Sequence, residues 1–215
     1  MNSSLPSRKT LDNLLEYYQT GHYIEAEKLA VSITQEFPED AFAWKVLATI
    51  QKQTGRKSEA ADANQRAVAL SPQDAEAHYN LGNTLLELGR VEDAQSSYRQ
   101  AIALKADYAD AHYNLGNTLL ASNKLDKAEE SLRQAINLKP DFTIAFHILG
   151  NTLLASGKLD EAEISFRRAI ELEPNHAEAY CNLGDALLAA GRIDEAEASL
   201  KQAIKLKPDF AEAYN

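Results

Sequence analysis

The chain has 215 residues, and its 22 basic and 32 acidic side chains give a formal net charge of −10. This acidity disfavours nucleic acid and anionic membranes as partners, because both require a basic surface. The single cysteine excludes a disulfide scaffold and a cysteine-based zinc site. No apolar run is long enough to span a bilayer, and the first ten residues lack the apolar stretch of a signal peptide. We therefore expect a cytoplasmic protein.

The sequence repeats itself with a period of 34 residues: AHYNLGNTLL occurs at 77–86 and again at 111–120. A fixed period of this length indicates a repeat architecture. In chain order, the phasing predicts an N-terminal tail at 1–6 and a repeat array at 7–210. The six repeats are 7–40, 41–74, 75–108, 109–142, 143–176 and 177–210, and residues 211–215 are expected to begin a truncated seventh repeat.

Glycine and proline fall at equivalent places in these repeats, counting positions from the first residue of each. Five of the six prolines are at position 32, and all nine glycines are at position 8 or position 15. Asn123 stands at position 15 of the fourth repeat, where asparagine can replace glycine in a left-handed helix cap. Apolar residues recur at helical spacing between these marks. Each repeat is therefore predicted to be a helix, a tight turn and a second helix.

The residues at fixed positions resemble the tetratricopeptide repeat. These are Leu and Gly at positions 7 and 8, Ala at position 20, an aromatic residue or Leu at position 24, Ala at position 27 and Pro at position 32. The resemblance covers 7–210, but the first repeat departs from the pattern at Leu14 and Ala30, and the second at Ala48 and Asn64. It implies an all-α, right-handed superhelical solenoid of six helix-turn-helix repeats, with the first helices lining a concave groove.

The groove positions of the first helices supply the candidate peptide-binding residues. They are Glu76, Tyr79, Asn80, Asn83, Asp110, Tyr113, Asn114, Asn117, His147, Ile148, Asn151, Asn182 and Asp185. The asparagines form a predicted ladder at positions 6 and 9. An asparagine amide carries both donors and an acceptor, so it suits the alternating N–H and C=O groups of an extended peptide. Asparagine at these positions also commonly bonds to the adjacent helix in the family, and both readings stay open.

The charges in the predicted groove indicate a neutral or basic ligand. Clamps for acidic C-termini need Lys or Arg at groove positions of successive repeats, and the third to sixth repeats have none there. Lys45 is the only groove lysine that could begin such a clamp, and the chain has Asp110 and Asn114 where further cations would be needed. No HExxH, GxxxxGK[ST] or GxSxG motif occurs, so we predict no catalytic residue, no metal and no cofactor.

Three functions are compatible with the sequence. The first is a non-catalytic scaffold that binds an extended peptide segment of a partner protein. The second is the substrate-recruiting arm of a larger protein glycosyltransferase, because EAYCNLGDALLAAGRIDEAE and the asparagines are similar to the repeat arm of O-linked N-acetylglucosamine transferases. The third is homo-oligomerisation through the sixth repeat. AEAYN begins a further first helix, so Leu200, Ile204 and Leu206 are expected to lack cover unless the chain is a piece of something longer.

Overall fold

A computed structural model describes residues 5–208, and this part of the chain contains twelve helices and no strand. The helices are α1 (Arg8–Gln19), α2 (Tyr23–Glu36), α3 (Ala41–Gln53), α4 (Lys57–Leu70), α5 (Ala75–Glu87), α6 (Val91–Leu104), α7 (Ala109–Ala121), α8 (Leu125–Leu138), α9 (Thr143–Ala155), α10 (Leu159–Leu172), α11 (Ala177–Ala189) and α12 (Ile193–Leu206). Two helices fall within each 34-residue repeat, which confirms the predicted all-α repeat fold. The predicted start of a seventh repeat, 211–215, lies outside the described residues.

The helices belong to two compact units, one ending at Ala106 and the other beginning at Asp107. The first unit contains α1–α6 and the second contains α7–α12. Within each unit, the two helices of a repeat pack against each other, and the second helix also packs against the first helix of the next repeat. Each unit therefore has three helix pairs, the number that a repeat array needs to bury a continuous core.

Local signals in the sequence set where the first helices begin and end. The Asp40 carboxylate accepts a hydrogen bond from the backbone N–H of Ala43 at 2.7 Å and so caps the start of α3. The turn after each first helix needs a left-handed residue, and Gly89 supplies it after α5 with φ of +74°. Asn123 takes the same conformation after α7, with φ of +55°, which confirms its predicted role.

Small residues let the two helices of a repeat approach closely. The alanines at position 20 are fully buried: Ala26, Ala60, Ala94, Ala128, Ala162 and Ala196 each have 0% exposure. At Gly82, an added Cβ would lie 2.6 Å from a ring carbon of Tyr98, so the α5–α6 contact leaves no room for a side chain at position 8. Position 8 and position 24 meet in this contact, and the second repeat instead has Ala48 at position 8 and Asn64 at position 24.

Candidate functional site

The first helices of the second unit bring three predicted site residues together. Asn182 on α11 donates from Nδ2 to Asn151 Oδ1 on α9 at 2.7 Å. The same Nδ2 lies 2.9 Å from His147 Nε2, one turn earlier on α9. The asparagine at position 6 of one repeat thus bonds to the asparagine at position 9 of the repeat before it. Their separation of 31 residues is the sequence signal that could have found this bond.

The Asn151–Asn182 pair keeps part of its hydrogen-bonding capacity. Both side chains are half-buried, and the donors of Asn182 are committed to Asn151 and His147. Asn182 Oδ1 and Asn151 Nδ2 make no hydrogen bond to any residue of the described part of the chain. The pair can therefore accept one hydrogen bond and donate another, which matches the C=O and N–H groups of a peptide backbone.

His147, which the sequence analysis placed among the groove residues, does not lie open on the first-helix face. The residue is only 8% exposed, because its ring packs against Phe166 at 6.1 Å and His176 at 4.8 Å between centroids. Burial, together with the nearby His176, lowers the pKa of His147 to about 4, so the imidazole is neutral at neutral pH. Its contribution to the face is indirect, through the hydrogen bond to Asn182.

The surroundings of the Asn151–Asn182 pair are apolar and acidic. Ile148 packs against the core of the second unit and is half-buried. Leu188 on α11 is 43% exposed. Asp185 follows Asn182 by three residues on α11, and burial raises the pKa of its carboxyl group. Within residues 5–208, Asp185 has no ion-pair partner.

The remaining candidates of the second unit lie on α7. Asp110 is exposed, and Asn114 and Asn117 are half-buried. Tyr113 packs against Phe142 with 5.1 Å between ring centroids and contacts the core of the second unit. Its ring is therefore partly buried against the core and the residue that precedes α9.

In the first unit, α5 carries four candidates, and three of them contact other side chains of the protein. Asn83 Oδ1 accepts a hydrogen bond from the Tyr98 hydroxyl at 2.9 Å, so this asparagine bonds to the second helix of its own repeat. Glu76 is exposed and forms an ion pair with Lys45 Nζ at 2.6 Å. Tyr79 lies beside Tyr98 with 6.0 Å between ring centroids, and Asn80 is half-buried.

Lys45, the predicted groove lysine, is neutralised by two carboxylates. Its ammonium group lies 2.9 Å from Asp74 and 2.6 Å from Glu76, and these hydrogen bonds raise the pKa of Lys45 against the effect of burial. The same contact lowers the pKa of Asp74. A lysine held in this way is poorly placed to bind the carboxylate of a ligand.

The described residues contain no group of side chains that could form a metal site. Among residues 5–208, no cluster of three or more His, Cys, Asp or Glu side chains could hold a metal ion. Cys181 is buried on α11, with 5% exposure. Within the same part of the chain, no helix has the length and apolarity needed to cross a membrane.

Stacked helix pairs with an accessible first-helix face define the class of helical-repeat scaffolds for protein interactions. The sequence profile described as tetratricopeptide repeat matches residues 79–141 and 149–213, which is more than half of the chain. A second profile, described as TPR repeat, matches residues 50–89. The chain belongs to the tetratricopeptide repeat family.

Solved structures of two other repeat proteins resemble the chain along most of its length. YrrB, described as a TPR protein with an unusual peptide-binding site, is 26% identical, with a TM-score of 0.74 over 84% of this chain and 93% of YrrB. MamA is 25% identical, with a TM-score of 0.73 over 77% of this chain and 97% of MamA. MamA from Desulfovibrio magneticus RS-1, at 19% identity and a TM-score of 0.75 over 79% of this chain and 96% of that one, shows the fold alone. No curated protein matches the chain in sequence.

Proposed function

We propose that the chain is a non-catalytic scaffold that binds an extended peptide segment of a partner protein on its first-helix faces. The observation that carries this proposal is the Asn151–Asn182 pair on α9 and α11, which orders two amides and leaves Asn182 Oδ1 and Asn151 Nδ2 for a ligand. Because the pair uses backbone-type hydrogen bonds, it would accept many side-chain sequences.

The surroundings of this pair suit a peptide. Half-buried Ile148, three residues before Asn151 on α9, and exposed Leu188, six residues after Asn182 on α11, offer apolar contact. Asp185 adds a negative charge three residues after Asn182, which favours a neutral or basic segment over an acidic one. The peptide-binding site ascribed to YrrB, which resembles most of this chain, supports the same use of the fold.

On α5 and α7 we propose a supporting role for the remaining candidates. Asn80 and Asn117 have side-chain amides without a hydrogen bond to other described residues, and both are half-buried. Asn83 is the weaker candidate, because its oxygen is already engaged by Tyr98.

The experiment is a selection of random peptides displayed on phage against the whole chain, followed by anisotropy titrations of each enriched peptide. The double variant Asn151→Ala and Asn182→Ala removes the uncommitted amide atoms and should weaken binding by at least about tenfold, since each lost hydrogen bond costs about 1 kcal/mol or more. Asn137→Ala is the matched control, because it removes an exposed asparagine from α8 in the same unit. Unchanged affinity of the double variant, with helicity retained, would contradict the proposal.

The substrate-recruiting arm of a glycosyltransferase is a second candidate, favoured by the residues EAYCNLGDALLAAGRIDEAE of the sixth repeat. It uses the same face and differs in the ligand. An arm that recruits acceptor proteins should enrich peptides with Ser or Thr, the residues that carry O-linked sugars. A selection that shows no preference for these residues would argue for the general scaffold.

A further inference from the structure

The second repeat contains a cleft that the peptide-binding proposal does not use. It has a volume of about 360 Å³ and lies entirely within α3 and α4 of the first unit. Its lining consists of Trp44, Gln51, Glu59, Asp62, Ala63 and Arg66. None of these residues is at a groove position of the repeat, so the cleft is separate from the candidate peptide face.

Gln51 is a buried polar residue at a position that favours leucine. In the third to sixth repeats the same position carries a buried leucine: Leu85, Leu119, Leu153 and Leu187. Gln51 is nearly as buried, at 8% exposure, and its Oε1 has no hydrogen-bond partner among the described residues. An unpaired buried amide oxygen destabilises a protein, whereas leucine would not. A ligand with an N–H donor in the cleft would give this amide a partner after a rotation of its last torsion.

The charges around the cleft favour a cation. Glu59 and Asp62 contribute two carboxylates. Glu59 lies 3.6 Å from Arg56, but Arg56 lies closer to Glu27, at 2.5 Å, and Asp62 has no ion pair with any described residue. Arg66 lies at the same cleft, but its guanidinium group makes a long contact of 3.5 Å with Glu39. Two negative charges against one positive charge leave the lining acidic.

Trp44 supplies an aromatic surface in a fixed orientation. Its indole N–H donates to the carbonyl oxygen of Pro38 at 3.0 Å, which holds the ring against the cleft. Tryptophan is the best of the aromatic residues for cation–π contact, and such contact strengthens when the cation is partly desolvated.

We propose that this cleft binds an ammonium or guanidinium group, either of a free amine or of a Lys or Arg side chain of a partner. The cation would lie against the Trp44 ring, pair with Asp62 and Glu59, and donate a hydrogen bond to Gln51. Because the cleft and the peptide face share no residue, this proposal stands or falls independently of the proposed function.

Trp44 also provides the measurement, because it is the only tryptophan in the chain and its emission reports on the cleft directly. The whole protein is titrated with N-acetyl-lysine methylamide, N-acetyl-arginine methylamide and putrescine, which separate side-chain ligands from a free amine. The neutral analogues N-acetyl-norleucine methylamide and N-acetyl-citrulline methylamide are the controls. We expect a saturable change in emission with at least one cation and none with its neutral analogue. No saturable change with any cation, or equal changes with the neutral analogues, would overturn the proposal.

Two variants test the assignment of residues. Asp62→Asn should weaken cation binding by about tenfold, whereas Asp12→Asn, the same charge change at an exposed position of α1, should not. Gln51→Leu places in the second repeat the residue found in four others, so it should unfold at a higher temperature and yet bind the cation more weakly. A Gln51→Leu variant that binds as tightly as the original chain would refute the role of Gln51, since loss of folding cannot account for that result.

Discussion

At the scale of single residues, buried His147 should make stability depend on pH. Its folded pKa of about 4 lies below the usual value of 6.5, because burial and His176 disfavour the charged form. Between these two values the unfolded chain binds more protons than the folded chain, so stability is present above the unfolded pKa and is lost as pH falls. From about pH 7 to about pH 5 the loss from this one group should be roughly 2 kcal/mol.

Urea unfolding at the two pH values measures this loss. His147→Gln keeps an acceptor for Asn182 Nδ2 and cannot titrate, so its stability should fall by roughly 2 kcal/mol less over the same interval. The control His22→Gln changes an exposed histidine in the turn between α1 and α2 and should keep the original slope. Equal slopes for His147→Gln and the original chain would show that His147 titrates normally.

Predictions for single residues agree with the structure where the local backbone conformation determines the outcome. They differ from it where side chains of a neighbouring helix determine the outcome. Asn123 was identified because position 15 requires a left-handed conformation, which is a local property of the chain. The burial of His147 and the bond from Tyr98 to Asn83 depend on side chains of other helices. A helical wheel contains no information on how far those side chains reach.

At the scale of helices, charged residues at fixed spacing join neighbouring repeats. Arg56 lies 2.5 Å from Glu27, Lys158 lies 2.9 Å from Glu129, and both pairs are 29 residues apart. Arg192 and Glu163 form the same contact. Each pair links the start of a second helix to the second helix of the preceding repeat. The 34-residue period made the helices and their order predictable, whereas these links appear only once the helices are packed.

The last helix of the described chain, α12, carries apolar side chains on its accessible surface. Ile204 is 38% exposed, and Leu200, one turn earlier on the same side, is half-buried. If this surface mediates self-association, Ile204→Glu should shift the mass of the protein in light scattering to that of the monomer. Ile164→Glu is the matched control, since Ile164 on α10 is 68% exposed. If the original chain associates and the Ile204→Glu variant has the same mass, this surface does not mediate the association.

At the scale of the whole molecule, we expect the net charge of −10 and the ion pairs of the first helices to affect which ligands bind. Lys45 neutralises Glu76, and Lys207 pairs with Glu178 at 3.1 Å. Asp110 and Asp185 are left without an ion-pair partner among the described residues. On α5, α7, α9 and α11, which carry no Lys or Arg, the unpaired charge available to a ligand is therefore negative. The sequence alone could not separate paired from unpaired acids.

This charge predicts that a Lys-rich peptide binds more tightly than a Glu-rich peptide of the same length. The preference should shrink as salt is raised, because exposed charges are screened over about 10 Å at 0.1 M ionic strength. Anisotropy titrations at low and high salt measure both effects. Asp185→Asn removes a negative charge from the candidate peptide face and should reduce the preference for the Lys-rich peptide. Asp62→Asn should reduce this preference only if the cleft of the second repeat also binds a lysine. Tighter binding of the Glu-rich peptide at low salt would contradict the prediction, because α5, α7, α9 and α11 carry no Lys or Arg that could account for it.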